Sequence, residues 1–198
     1  MTPFYRVARA VCLIVCKVLW RFKATGAGNV PLTGPVIVAS NHLSYLDPVV
    51  LGIGLPRMVT YLAKKELFEI PILKFFVRGC GAYPLDRDAG GVAAVRAALR
   101  VLKEGRCVGI FPEGTRNLKG TAAEKGGAAF LAALSGAPVV PAAIAGTKDA
   151  KRFKQIRVVY GKPLTIVRNR KADGDDLEKW TAEIMRSIRV LEESIGGN

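Results

Sequence analysis

Apolar residues along this chain fall into short runs of two kinds, and the two kinds alternate. Continuous or β-branched runs at 36–40, 58–63, 82–85, 107–111 and 138–144 read as strands. Between them, apolar positions recur at helical spacing over roughly 48–54, 70–79, 91–104 and 125–135. Strand and helix in regular alternation predict an α/β domain with a largely parallel central sheet flanked by helices. A further strand is expected at 156–160. A terminal helix is expected over 175–195, with Leu177, Trp180, Ile184, Ile188 and Leu191 as its core-facing stripe. No repeat, linker or low-complexity stretch divides the chain, so residues 25–198 read as one domain, of a length that supports a real core.

The first 24 residues carry a different pattern. On a helical wheel Phe4, Val7, Val11, Ile14, Val15, Val18, Leu19 and Phe22 share one face, and Arg6, Arg9, Lys17, Arg21 and Lys23 the other, with Leu13 and Trp20 intruding on the basic side. The apolar stretch is shorter than the ~20 residues of a spanning helix and contains Lys17. It also lacks the unbroken apolar core and cleavage site of a signal peptide. A basic amphipathic helix that lies in the headgroup layer of an anionic membrane is the expectation; packing against the domain is the alternative.

Charge agrees with that expectation. Thirty Lys and Arg against sixteen Asp and Glu give a net charge of +14. Such an excess selects anionic partners: nucleic acid, phospholipid headgroups, coenzyme A or an acidic carrier protein. Aromatics interleaved with basic residues on a strand surface would favour nucleic acid, and none stand out, so nucleic acid is not expected. Lys and Arg are densest between Lys148 and Lys171, where nine of them face a single acid, Asp149. This segment is expected to meet membrane headgroups, with coenzyme A or an acidic carrier protein as the other candidate. Cys12, Cys16, Cys80 and Cys107 lack metal-type spacing and read as reduced core thiols of a cytosolic protein. With one histidine in the chain, a zinc site is not expected.

That histidine, His42, ends the strand-like run Val36-Ile-Val-Ala-Ser-Asn-His and precedes Leu-Ser-Tyr-Leu-Asp47-Pro48. Pro48 suits the first position of a helix and disfavours helical conformation before it, so Asp47 reads as the N-cap. A loop from strand end to helix start lets the carboxylate fold back on the imidazole, fix its tautomer and support its charge. Ser44 reads as a loop residue, because no nucleophile elbow surrounds it. A second strand run meets a polar turn at Cys107-Val-Gly-Ile-Phe-Pro-Glu113-Gly114-Thr115-Arg116. Gly114 permits a sharp turn, while Thr115 and the Arg116 fork offer donors suited to a phosphate monoester.

Asn41-His42-Leu-Ser-Tyr-Leu-Asp47 resembles the first motif of the glycerolipid acyltransferases, the 1-acylglycerol-3-phosphate acyltransferases, and Phe111-Pro-Glu-Gly-Thr-Arg116 resembles their third. Gly81-Ala-Tyr-Pro-Leu-Asp-Arg87 is similar to the second motif, and Val139-Val-Pro-Ala-Ala-Ile144 to the fourth. The likeness covers roughly residues 25–165. It implies transfer of a fatty acyl group from acyl-CoA or an acyl-carrier protein to the sn-2 hydroxyl of lysophosphatidate, at the cytosolic face of a membrane. His42 would be the base and Asp47 its support. Arg116 and Lys64 (taken over its neighbour Lys65) would hold the phosphate, with Arg87 and the Glu113 to Thr115 turn assisting. No metal or redox cofactor is implied. Two alternatives stay open: another lysolipid acceptor, such as a lyso-ornithine lipid or a lysophospholipid, or a non-catalytic basic module that binds membranes.

Overall fold

The computed structural model describes residues 2–79, 81–85, 90–113, 126–169 and 171–196. The chain opens with helix α1 (Pro3–Trp20), which Thr2 caps by accepting the Tyr5 N–H at 3.2 Å. Strand β1 (Lys23–Thr25) follows, then β2 (Val36–Ser40), α2 (Asp47–Ile53), β3 (Val59–Thr60), β4 (Leu62–Lys64), α3 (Pro71–Gly79) and β5 (Tyr83–Leu85). Helix α4 (Gly90–Lys103), β6 (Cys107–Ile110), α5 (Gly127–Ser135), β7 (Val139–Ala145), β8 (Arg157–Tyr160) and α6 (Gly174–Ser194) complete the order.

Six strands form one sheet in the order β1-β8-β7-β2-β6-β3, parallel except where β8 runs antiparallel to β7. Every residue of β2 is buried, as expected for a parallel strand covered on both faces. Its side chains alternate between two cores. Val36 and Val38 point to a cluster that takes in Cys16, Phe22, Val50, Leu51 and Tyr160. Ile37 and Ala39 point to a cluster supplied by Ala98 and Val101 of α4, Ala132 of α5, and Ile184 and Ile188 of α6. Helices α1 and α2 therefore cover one face, and α4, α5 and α6 the other.

The expected run at 58–63 is divided. Thr60 still pairs with Val108 of β6, but from Leu62 onward the chain pairs with Tyr83 of β5 in a separate two-stranded ribbon. Tyr61 lies at the fork, its carbonyl accepting the Tyr83 N–H at 2.9 Å. The strand β1 was not expected from sequence; at three residues it is too short for a periodicity, and the 24/25 division falls inside it. Helix α1 does not stand apart from the domain, since its Tyr5 and Cys16 are buried and Leu13 and Trp20 pack against the core. The two residues that intruded on the basic face are thus its inward side. Its apolar side stays open, with Val7, Val11, Ile14 and Val18 between 54% and 73% exposed. No helix among the described residues is long and apolar enough to cross a membrane.

Candidate functional site

The parallel register of β2 and β6 brings two distant motifs together. Ala39 lies beside Ile110, so the residues that leave these strand ends, Asn41 and His42 from one and Phe111 to Glu113 from the other, emerge side by side. This is the C-terminal edge of the sheet, where open α/β folds hold their ligands. The backbone N–H of His42 donates to Glu113 Oε2 at 3.1 Å, and the His42 ring stacks on Phe111 with centroids 4.2 Å apart and planes 20° from parallel.

The loop after His42 folds back as the spacing suggests. His42 Nδ1 lies 2.8 Å from Asp47 Oδ2, and the same oxygen accepts the N–H groups of Leu43 and Ser44, each at 2.6 Å. An oxygen already receiving two backbone donors acts as an acceptor, so Nδ1 carries the proton and Nε2 holds the ring's lone pair. Asp47 is fully buried, while the His42 side chain is 17% exposed. The carboxylate is therefore shielded from solvent, and the imidazole stands between it and the surface. A buried carboxylate that fixes one tautomer and faces a reachable imidazole equips that imidazole as a general base.

One expectation about this loop needs correction. Asp47 does not cap α2. The N-cap is Leu46, which makes no side-chain capping bond, and Asp47 is the first helical residue with Pro48 behind it. Its carboxylate faces backwards because the preceding loop offers three donors to a single oxygen, more than the helix start would.

Of the remaining expected residues, Glu113 is buried beside His42. Lys64 ends β4, and its side chain lies outside the described structure. Arg87, Gly114, Thr115 and Arg116 lie outside the described residues, as do Cys80, Arg170 and the side chain of Arg152. Cys12, Cys16 and Cys107 are free thiols. Burial pushes the Cys107 thiol up from 9.0 to about 12. Among the described residues, no three His, Cys, Asp or Glu side chains gather as a metal site.

Three residues at the site received no role of their own from the sequence. Tyr61 lies parallel to Phe111, with ring centroids 6.1 Å apart, so Tyr61, Phe111 and His42 form a graded stack. Tyr61 is also a wall of a cavity of about 170 Å³ between α1 and α2, shared with Tyr5, Cys12, Val49 and Ile53. The cavity is apolar, yet the Tyr61 hydroxyl and Arg9 Nε are buried there with no hydrogen-bond partner among the described residues. Burial, followed by the nearby Tyr160 hydroxyl, raises the Tyr61 phenol well above its usual value. Asn41 and Glu192 are the other two: the Asn41 amide donates to Glu192 Oε1 at 2.7 Å. An aromatic beside a strand run carries no spacing signal, and Glu192 lies some 150 residues from the motif it meets.

A buried acid behind a strand-end histidine on an α/β sheet is an arrangement in which the imidazole can take a proton from a hydroxyl. The chain belongs to the acyltransferase family, whose model matches residues 21–145. It is 32% identical over 164 residues to the 1-acyl-sn-glycerol-3-phosphate acyltransferase of Bacillus subtilis, spanning 81% of this chain and 82% of that one. The enzyme of the same name from Streptococcus pneumoniae is 28% identical over 79% of this chain, which spans 60% of that relative's length. The crystal structure of the 1-acyl-sn-glycerophosphate acyltransferase PlsC from Thermotoga maritima superposes with a TM-score of 0.69 at 26% identity, covering 99% of this chain and 85% of that one.

Proposed function

We propose that this protein transfers a fatty acyl group from an acyl thioester, acyl-CoA or acyl-carrier protein, to the sn-2 hydroxyl of 1-acyl-sn-glycerol-3-phosphate, giving phosphatidic acid. The observation that carries this reading is the 2.8 Å bond from His42 Nδ1 to the buried Asp47. His42 Nε2 takes the hydroxyl proton as the oxygen attacks the thioester carbonyl, and Asp47 supports the imidazolium that forms. The tetrahedral oxyanion collapses, the carbon–sulfur bond breaks, and the departing thiolate takes the proton back from His42. Positioning by a base of this kind contributes about 10²–10⁴-fold.

Arg116 and Lys64, with Arg87 and the Glu113 to Thr115 turn, are assigned to the acceptor's phosphate. The assignment rests on the sequence motifs and on the position of Glu113 beside His42. The cavity between α1 and α2 is assigned to the apolar part of a substrate, because Tyr61 joins it to the His42 stack. Helix α1 docks on the cytosolic face of an anionic membrane, its open valine and isoleucine face entering the headgroup layer.

The test is turnover of purified protein with lysophosphatidate, a lysophospholipid and a lyso-ornithine lipid, each with both thioester donors, for the wild type and His42→Ala. Lysophosphatidate is expected to be the best acceptor. His42→Ala should abolish transfer, since no second histidine can substitute. Retention of more than a few per cent of turnover would refute the base assignment, and preference for another lysolipid would refute the acceptor.

A further inference from the structure

Helix α6 approaches the reaction loop at one side chain. Asn41, the residue before His42, is 2% exposed and has all of its hydrogen-bonding capacity engaged. Its amide nitrogen donates to the Ile144 carbonyl at 2.9 Å and to Glu192 Oε1 at 2.7 Å; its oxygen accepts the Ile144 N–H at 2.8 Å and the Ser40 hydroxyl at 3.2 Å. Ile144 belongs to β7 and Glu192 to the last turn of α6. Asn41 is therefore clamped between the sheet and this helix.

Glu192 violates two local preferences. An acid in the last turn of a helix meets the negative end of the helix dipole, and no basic residue occupies that turn. It is also drawn out of solvent: burial first, and the charge of Glu113 second, raise its carboxyl, while the Asn41 bond and Arg189 act in the opposite direction. Glu193, the next residue, adds a further repulsion. A side chain held against dipole, desolvation and like charge satisfies something else, and sites where local rules fail tend to be functional. Its direct partner here is the amide of Asn41.

From this geometry we infer that Glu192 is a positioning residue for the transfer reaction: through Asn41 it fixes the backbone from which His42 projects. His42 is then held from three directions. Asp47 orients its ring, Glu113 takes its backbone N–H, and the Asn41–Glu192 bond sets the residue before it. Without the carboxyl oxygen one amide hydrogen of Asn41 has no protein acceptor, and the strand end can rotate. Displacement of a catalytic group by about 1 Å can cost roughly 100-fold in rate.

This inference rests on His42 being the base, and its test separates the two. Glu192→Gln keeps an oxygen for Asn41, whereas Glu192→Leu removes it. For the full chain in detergent or on vesicles, Glu192→Leu should lower kcat by about 10-fold or more with KM within about 2-fold, since it acts on orientation. Glu192→Gln should stay within about 3-fold of wild type on both. Because the chain has one histidine, ¹⁵N-histidine labelling reports a single imidazole by NMR. Its Nδ1–H signal should shift or broaden in Glu192→Leu and return in Glu192→Gln. If Glu192→Leu does not fold, Glu192→Ala, which admits water, is read in the same way. An unmoved imidazole signal would overturn the positioning role whatever the activity. So would an equal kcat loss in Gln and Leu, or a change confined to KM. The imidazole measurement involves no chemistry, so it holds even if His42→Ala proves active and the base reading fails.

Discussion

At the scale of single residues, the arrangement around Asp47 separates charge from shape. Asp47→Asn can keep an oxygen towards Leu43 and Ser44 but loses the negative charge behind the imidazole. Turnover should therefore fall by at least about 100-fold while the loop stays folded. Steady-state kinetics alongside thermal unfolding would check this, and a variant within a few-fold of wild type would reduce Asp47 to a loop fastener. Gly109 offers a second test. A methyl group there would lie 2.3 Å from the Tyr61 ring and 2.8 Å from Val59, so Gly109→Ala must displace the aromatic that stacks on Phe111. Such overpacking costs about 1–3 kcal/mol, and turnover should fall with the disturbed stack. The His42–Asp47 pairing was legible in sequence because loop and helix start are local and Pro48 marks the boundary. The direction of the Asp47 carboxylate was not, because capping and backward folding use the same residue, and only the three donors of the loop decide between them.

At the scale of elements, α1 carries two faces that sequence could list but not assign. Leu13 and Trp20 looked misplaced on a basic face, yet they are the inward contacts, and Trp20 Nε1 donates to the Ala150 carbonyl at 2.5 Å. That bond, with Ile156 N–H donating to the Trp20 carbonyl at 3.0 Å, joins the end of α1 to the start of the basic segment. Lys151 and Lys154 are exposed on it. Since α1 contributes Tyr5 and Cys16 to the core, its outer face is better probed by substitution than by deletion. Val11→Glu with Val18→Glu should leave the unfolding temperature within a few degrees. Each valine withheld from an apolar phase costs roughly 1–2 kcal/mol, so sedimentation with anionic vesicles should weaken by at least about 10-fold. Undiminished sedimentation would move the membrane contact away from α1. Charge reversal of Lys151 and Lys154 should also weaken vesicle binding and leave the KM for a soluble short-chain acyl-CoA unchanged. A raised KM with intact vesicle binding would make the segment a docking site for the donor.

At the scale of the whole molecule, groups sealed into the core set an alkaline limit on stability. Burial raises the Cys107 thiol from 9.0 to about 12 and raises the phenols of Tyr61 and Tyr160 as well. In this range the folded state binds more protons than the unfolded one, so stability falls as pH rises. For Cys107 the contribution is full below about pH 9 and is lost as pH approaches about 12. Denaturant midpoints measured across that interval should decline, and Cys107 should resist alkylation at neutral pH until the chain unfolds. The alternating runs made the α/β class legible, and the strands other than the three-residue β1 could be found from their apolar stretches. The antiparallel pairing of β8 with β7 and the fork at Tyr61 could not, since both depend on partners far along the chain. That distance has a consequence for how the protein comes into being during synthesis. The dyad spans six neighbouring residues, but the bonds that hold Asn41 beside it reach across 103 residues to Ile144 and across 151 to Glu192. A ribosome that has produced both catalytic motifs, up to the turn at Glu113, has still not made either clamp. Nascent chains arrested before residue 192 should therefore carry every reacting group and yet transfer acyl groups poorly, because the last turn of α6 completes the frame.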